Sequence, residues 1–119
     1  VKLTLQTVCC GAVCALLTPT QGLADRGAPP GWWLAQAACI RSHEGWPTAA
    51  TGNGYEGSYQ FLASTYASAG GRVVYRNGKP WHWASLDSLA EQTYRAWVVW
   101  RRDGGSWRQW GTARACGLR

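Results

Sequence analysis

Beyond Cys14, this 119-residue chain has two cysteines, Cys39 and Cys116, which lie near opposite ends of the segment that follows. A bridge between them would close a loop around most of that segment and contribute about 3 to 4 kcal/mol in the chain-entropy picture. It would also pin the C-terminal tail to whatever element carries Cys39. Two cysteines in an exported protein are usually paired. A metal or redox pair is the other reading, although there is no CxxC spacing and neither His43 nor His82 stands at ligand spacing.

Export is expected from the N-terminus. Lys2 precedes an apolar run from Leu3 to Leu17, and Thr18-Pro19-Thr20-Gln21 leads to the small-residue sequence Gly22-Leu23-Ala24. Residues 1–24 read as a secretory signal peptide cleaved near Ala24. The run is shorter than the roughly 20 apolar residues of a comfortable membrane span. Cys9, Cys10 and Cys14 would leave with it. Residues 25–31, DRGAPPG, read as a linker, and residues 32–119 as one domain of a size that folds alone with modest burial. The expected product is secreted, extracellular or associated with the cell wall, monomeric, and without stable membrane insertion. It would carry eleven Lys and Arg against six Asp and Glu, so anionic partners or partners on anionic surfaces are favoured. No nucleic-acid motif is present, nor the long basic amphipathic helix of a membrane-damaging peptide.

Within the domain, Trp33, Ala37 and Ile40 recur at helical spacing and predict a helix over residues 32–43, with Gln36 and Arg41 toward water and Gly45 and Pro47 as its stop. TGNGYEGSYQF, Thr51 to Phe61, predicts a loop leading into a short hairpin around Tyr55 to Tyr59. A second helix is expected over residues 62–69, stopped by Gly70-Gly71. Asn77-Gly78 between aromatic and β-branched runs predicts a hairpin from Val73 to Trp83, with Pro80 restricting the second run to an edge. Ser88 and Glu91 have capping-box spacing before a third helix whose stripe is Leu86, Leu89, Thr93, Trp97 and Trp100, with Glu91 and Arg95 paired on the wet face. The fold class expected is α+β, mainly helical, with one or two small β-hairpins.

Glu44 continues the apolar face of the first helix and falls at its C-terminus. A carboxyl group placed there should lose hydration and meet the negative end of the helix dipole, both of which favour its protonated form. A carboxylic acid beside aromatic and amide groups is what cleavage of a glycosidic bond requires, because the departing oxygen must receive a proton. Trp46, Tyr55 and Tyr59 offer flat faces for sugar rings, and the Gln60 amide can donate to and accept from hydroxyl and N-acetyl groups.

Trp33, Cys39, Glu44, Thr51 to Phe61 with Asn53 inside it, Ser64-Thr65-Tyr66, Glu91-Gln92, Trp107, Trp110 and Cys116 occur in that order. The series resembles the lysozyme-like transglycosylase domain of the resuscitation-promoting factors, secreted cell-wall enzymes of actinobacteria, over nearly all of the segment after residue 24. The resemblance implies a compact lysozyme-like domain that cuts the β-1,4 bond between N-acetylmuramic acid and N-acetylglucosamine in peptidoglycan glycan strands. It implies Glu44 as the catalytic acid, a groove lined by Trp46, Asn53, Tyr55, Tyr59 and Gln60, and no cofactor or metal. The chain departs from the family pattern in having Ile40 to His43 between the cysteine and the glutamate, and Gly45-Trp46-Pro47 after it. Val73 to Trp83 is longer than the usual loop, and reads either as an extension of the groove or as a plain surface hairpin.

Several alternatives stay open at this stage. In a hydrolase, Glu56 or Asp87 would have to orient the attacking water; the plainer reading of Glu56 is an exposed turn residue. His43 and His82 are expected to face solvent, and Trp97 and Trp100 to be core. Trp81, Trp83, Trp107 and Trp110 divide between core and sugar platform in a way the sequence does not apportion. A non-catalytic wall-binding or signalling module would keep the groove and the basic surface without turnover.

Overall fold

A carbonyl at a proline sets the start of the first helix. Pro30 adopts an extended conformation and its oxygen accepts from the Trp33 and Leu34 amides, so α1 spans Gly31–Glu44 and begins inside the stretch expected as a linker. The computed structural model describes residues 27–119, and the expected signal peptide lies outside the described residues. The chain continues through α2 (Ala63–Ser68), strands β1 (Val74–Arg76) and β2 (Lys79–His82), a 3-10 turn at Ala84–Leu86, α3 (Leu89–Arg102) and a 3-10 segment at Gly111–Cys116. The result is a mainly helical α+β fold with one two-stranded antiparallel sheet. Among the described residues no helix is long and apolar enough to cross a membrane.

The hairpin pairs Arg76 with Lys79 around Asn77-Gly78, as the turn chemistry requires. The second expected hairpin is reduced to a single bridge between Glu56 and Phe61, with Gln60 left-handed at φ 49°. α2 ends at Gly70-Gly71: the Gly71 amide donates to the Tyr66 carbonyl at 2.8 Å, and a Cβ at Gly71 would collide with the Tyr66 ring. Ser88 caps α3 by accepting from the Glu91 amide at 3.1 Å, while Glu91 and Arg95 form the expected ion pair.

The core is aromatic. Trp33 stacks on Trp107 at 5.0 Å and meets Trp97 edge-on at 5.1 Å, and Tyr59, Phe61, Tyr66, Trp83 and Trp110 complete it. Trp100 lies flat on Trp97 at 5.3 Å, partly buried. The α3 stripe differs from expectation at its start. Leu86 and Leu89 are exposed, and the helix instead buries Gln92, Thr93, Ala96, Trp97 and Val99. Leu86 belongs to the preceding 3-10 turn rather than to α3, and Leu89, in the first helical turn, lines an open hollow. Gln36, expected in water, accepts from the Trp107 indole at 2.8 Å. Arg41 likewise turns inward to donate to the Tyr59 hydroxyl at 2.8 Å.

Cys39 in α1 and Cys116 at the end of the last 3-10 segment are joined, with Cα atoms 6.0 Å apart and a sequence separation of 77. The His43 imidazole is close to both sulfurs, with the three ligand atoms within 4.8 Å of one another. Joined sulfurs are not thiolate ligands, so this trio is a disulfide beside an exposed imidazole. Reduction should destabilise the protein by about 4 kcal/mol on loop entropy alone. Urea unfolding with and without a dithiol reductant measures it; equal midpoints would mean that the aromatic core alone holds the tail.

Candidate functional site

Glu44 is the last residue of α1 and is half-buried. The Thr112 hydroxyl, carried by the disulfide-linked tail, donates a hydrogen bond to Glu44 Oε2. The next residue, Gly45, passes tightly against the turn of residues 57–60: a Cβ there would lie 3.1 Å from the Gly57 carbonyl oxygen and 3.2 Å from Gln60 Nε2. The Gln60 amide therefore abuts the backbone that leaves Glu44, and it donates to the Gly57 carbonyl at 3.1 Å.

Gln92 holds this turn in place. Its side chain is fully buried, accepts from the Ser58 amide at 2.8 Å and donates to the Pro47 and Asp87 carbonyls at 3.0 and 2.9 Å. One amide thus fastens both loops around Glu44 to α3. Gly57 is required there, since at φ 81° a Cβ would run into Gln92 Oε1. Gln92 belongs to the sequence pattern described above, but its spacing gives no sign of this role. Thr112 had no sequence signal at all.

The expected groove residues separate into two groups. Tyr55 and Gln60, with Trp110 at one wall, line a depression of about 100 Å³. Asn53 is exposed and shapes this region by accepting the Tyr55 amide at 3.0 Å. Glu44 does not line the depression; of the residues that do, Gln60 lies against Gly45, and Trp110 stands two residues before Thr112. Trp46 is 59% exposed just past Gly45 and is free to stack. Larger hollows of about 610 and 520 Å³ lie along the C-terminal segment and between α1 and α3, and neither is lined by Glu44 or Gln60.

Tyr59 must be corrected. It is fully buried, its hydroxyl shared between Thr93 at 2.9 Å and the Arg41 guanidinium, so it has no face to offer a sugar. Burial pushes its phenol above the ordinary value despite those two hydrogen bonds. The four tryptophans also divide: Trp83, Trp107 and Trp110 are core and Trp81 is 42% exposed.

Glu56 is the other correction, being 4% exposed rather than a turn residue in solvent. Its Oε1 accepts from the Trp83 amide at 2.8 Å and the Ser85 hydroxyl at 2.7 Å, and its Oε2 pairs with His82 Nδ1 at 2.7 Å. His82 is consequently half-buried and paired, not simply solvent-facing. Burial alone would raise the Glu56 pKa, but the Trp83, His82 and Ser85 hydrogen bonds together outweigh it and hold the carboxyl below the usual glutamate value. Asp87 is likewise engaged, accepting from the Tyr66 hydroxyl at 2.6 Å and from Arg72 at 3.1 Å.

A carboxyl group whose folded pKa is depressed stabilises the fold above its unfolded pKa and loses that contribution as pH falls through the folded value. Stability should therefore decline as pH drops below the ordinary glutamate value of 4.5. Glu56→Gln should cost about 1 to 3 kcal/mol at pH 7 and flatten that acid limb. Urea midpoints from pH 7 to pH 3 for both proteins check it, and parallel curves would show that Glu56 is not the responsible group.

No protein-family model matches the chain and no curated protein matches it, so the site stands on its own geometry.

Proposed function

We propose that the chain is a secreted peptidoglycan-cleaving enzyme with a lysozyme-like fold, and that Glu44 is its catalytic acid. The observation that carries this reading is the setting of Glu44: a helix-terminal carboxyl fixed by Thr112 and followed by Gly45, which packs against Gln60, a residue that lines a depression with Tyr55. With Thr112 on Oε2, Oε1 is left to deliver the proton. Glu44 protonates the oxygen between N-acetylmuramic acid and N-acetylglucosamine as its bond to the muramoyl C1 breaks. The resulting carboxylate then takes the proton of the muramoyl C6 hydroxyl while that oxygen bonds to C1, closing a 1,6-anhydro ring. One carboxyl group serves both steps, and no metal enters the scheme.

The single-carboxylate route is favoured over hydrolysis because the two groups named for orienting water have other duties. Glu56 is closed in by Trp83, Ser85 and His82, and Asp87 by Tyr66 and Arg72. The basic surface suits a wall-borne substrate, since the segment after residue 24 carries eleven Lys and Arg against six Asp and Glu. Trp46 and Tyr55 supply the exposed rings on which sugars stack.

Release of soluble glycan from purified peptidoglycan tests the reading, with co-sedimentation on the same wall as a measure of binding. Glu44→Gln should lower release by at least about 100-fold while binding persists. Thr112→Val should lower kcat by about tenfold at unchanged KM, because it misplaces the acid without touching the sugars. Binding without release by the wild type would leave the non-catalytic wall-binding module in its place.

A further inference from the structure

Tyr55 lines two depressions. One is the small hollow shared with Gln60. The other, about 370 Å³, is walled by Tyr55 and by Trp81 and His82 of β2, with Glu56 and the backbone of Gly52 and Gly54 in its lining. That volume is in the range of small-ligand sites. Nothing lies within 4 Å of where a Cβ on Gly52 or Gly54 would stand, so this edge is open to a ligand.

The walls are built rather than incidental. Tyr55 and Trp81 are 43% and 42% exposed, yet Trp81 is held by the Arg76 guanidinium 3.7 Å from its ring centroid and by the His82 ring at 4.4 Å. Ionised Glu56 can only accept, so His82 Nδ1 carries the proton between them and Nε2 is the ring nitrogen left for a ligand. Trp83 and Ser85 anchor Glu56 in turn. A fixed imidazole among exposed aromatic rings fits a neutral hydroxylated ring, whose C–H face stacks and whose hydroxyl groups hydrogen-bond with the free ring nitrogen.

We propose that this depression is a further saccharide subsite, in which the β1–β2 hairpin holds an N-acetylated hexosamine ring of the same glycan strand that passes Glu44. The inference rests on the glycan-cleaving reading and adds to it a substrate-length preference set by Trp81, His82 and Tyr55. A strand long enough to reach the hairpin binds more tightly than one that ends at the Gln60 hollow.

The probe is chitohexaose, a β-1,4-linked N-acetylglucosamine hexamer, titrated into oxidised protein carrying Glu44→Gln, with the Trp81 indole N–H, the His82 ring and the Gln60 side-chain amide followed by NMR. Expected are shifts at all three groups, and an affinity about tenfold weaker when Trp81→Ala or His82→Gln is added. His82→Gln retains a donor for Glu56, and the unshifted core tryptophan signals report that each variant is folded. Shifts at Gln60 alone, with unchanged affinity in both variants, would overturn the subsite and leave the cleavage reading standing. No binding of the hexamer, together with no glycan release by the wild type from purified peptidoglycan, would overturn both.

Discussion

The return of the C-terminal segment onto α1 is held by three different interactions along the same helix. Trp107 stacks on Trp33 and its indole donates to Gln36, the Cys39–Cys116 bridge follows, and Thr112 donates to Glu44 at the helix end. The stack removes large apolar surface from water, the bridge restricts the unfolded chain, and the hydroxyl spends that order on orienting one carboxyl group. Together with the Trp110 indole, which donates to the Tyr59 carbonyl at 2.8 Å, these contacts hold Thr112 opposite Glu44. Stability and the proposed chemistry are therefore linked through the tail.

On the other side of Glu44, buried polar groups do the positioning. Gln92 ties the Pro47 and Ser58 loops to α3, and Glu56 ties the turn at Gly57 to the end of the hairpin. Such groups are tolerated inside because their hydrogen bonds are made, and they leave the loops few alternative arrangements. The glycine-rich segment is thus held by contacts far away in sequence rather than by a regular hairpin of its own. The same anchoring by Glu56 sets the His82 ring from which the outer saccharide subsite is inferred.

Local signals were legible wherever chemistry within a few residues decided the structure. The Asn77-Gly78 hairpin, the Ser88 cap, the Gly70-Gly71 stop and the apolar face of α1 all follow from such short-range rules, and the mainly helical α+β class with its cysteine pairing followed from pattern and composition. Tyr59 and Glu56 were misjudged because both belong to a tight turn, where alternation along the sequence does not reveal which side faces inward. Their burial is decided by Thr93 and Arg41 in one case, and by Trp83 and Ser85 in the other. Leu86 and Leu89 illustrate the converse: a helical stripe marks apolar residues but not where the helix begins, and these two fall in the 3-10 turn and the first helical turn, outside the core. Of the candidate site, Glu44, Tyr55 and Gln60 could be named from sequence, whereas Thr112 could not, because it meets Glu44 only through the fold of the tail.

The central claim is that one carboxyl group, Glu44, performs both proton transfers. Mass spectrometry of the fragments that the oxidised protein releases from purified peptidoglycan tests it most directly. Muramoyl ends in the 1,6-anhydro form, one water lighter than hydrolytic ends, are the result expected from a single carboxyl group with Glu56 and Asp87 engaged elsewhere. Fragments with reducing muramoyl ends would contradict it, since a water would then have been activated by a group outside this scheme.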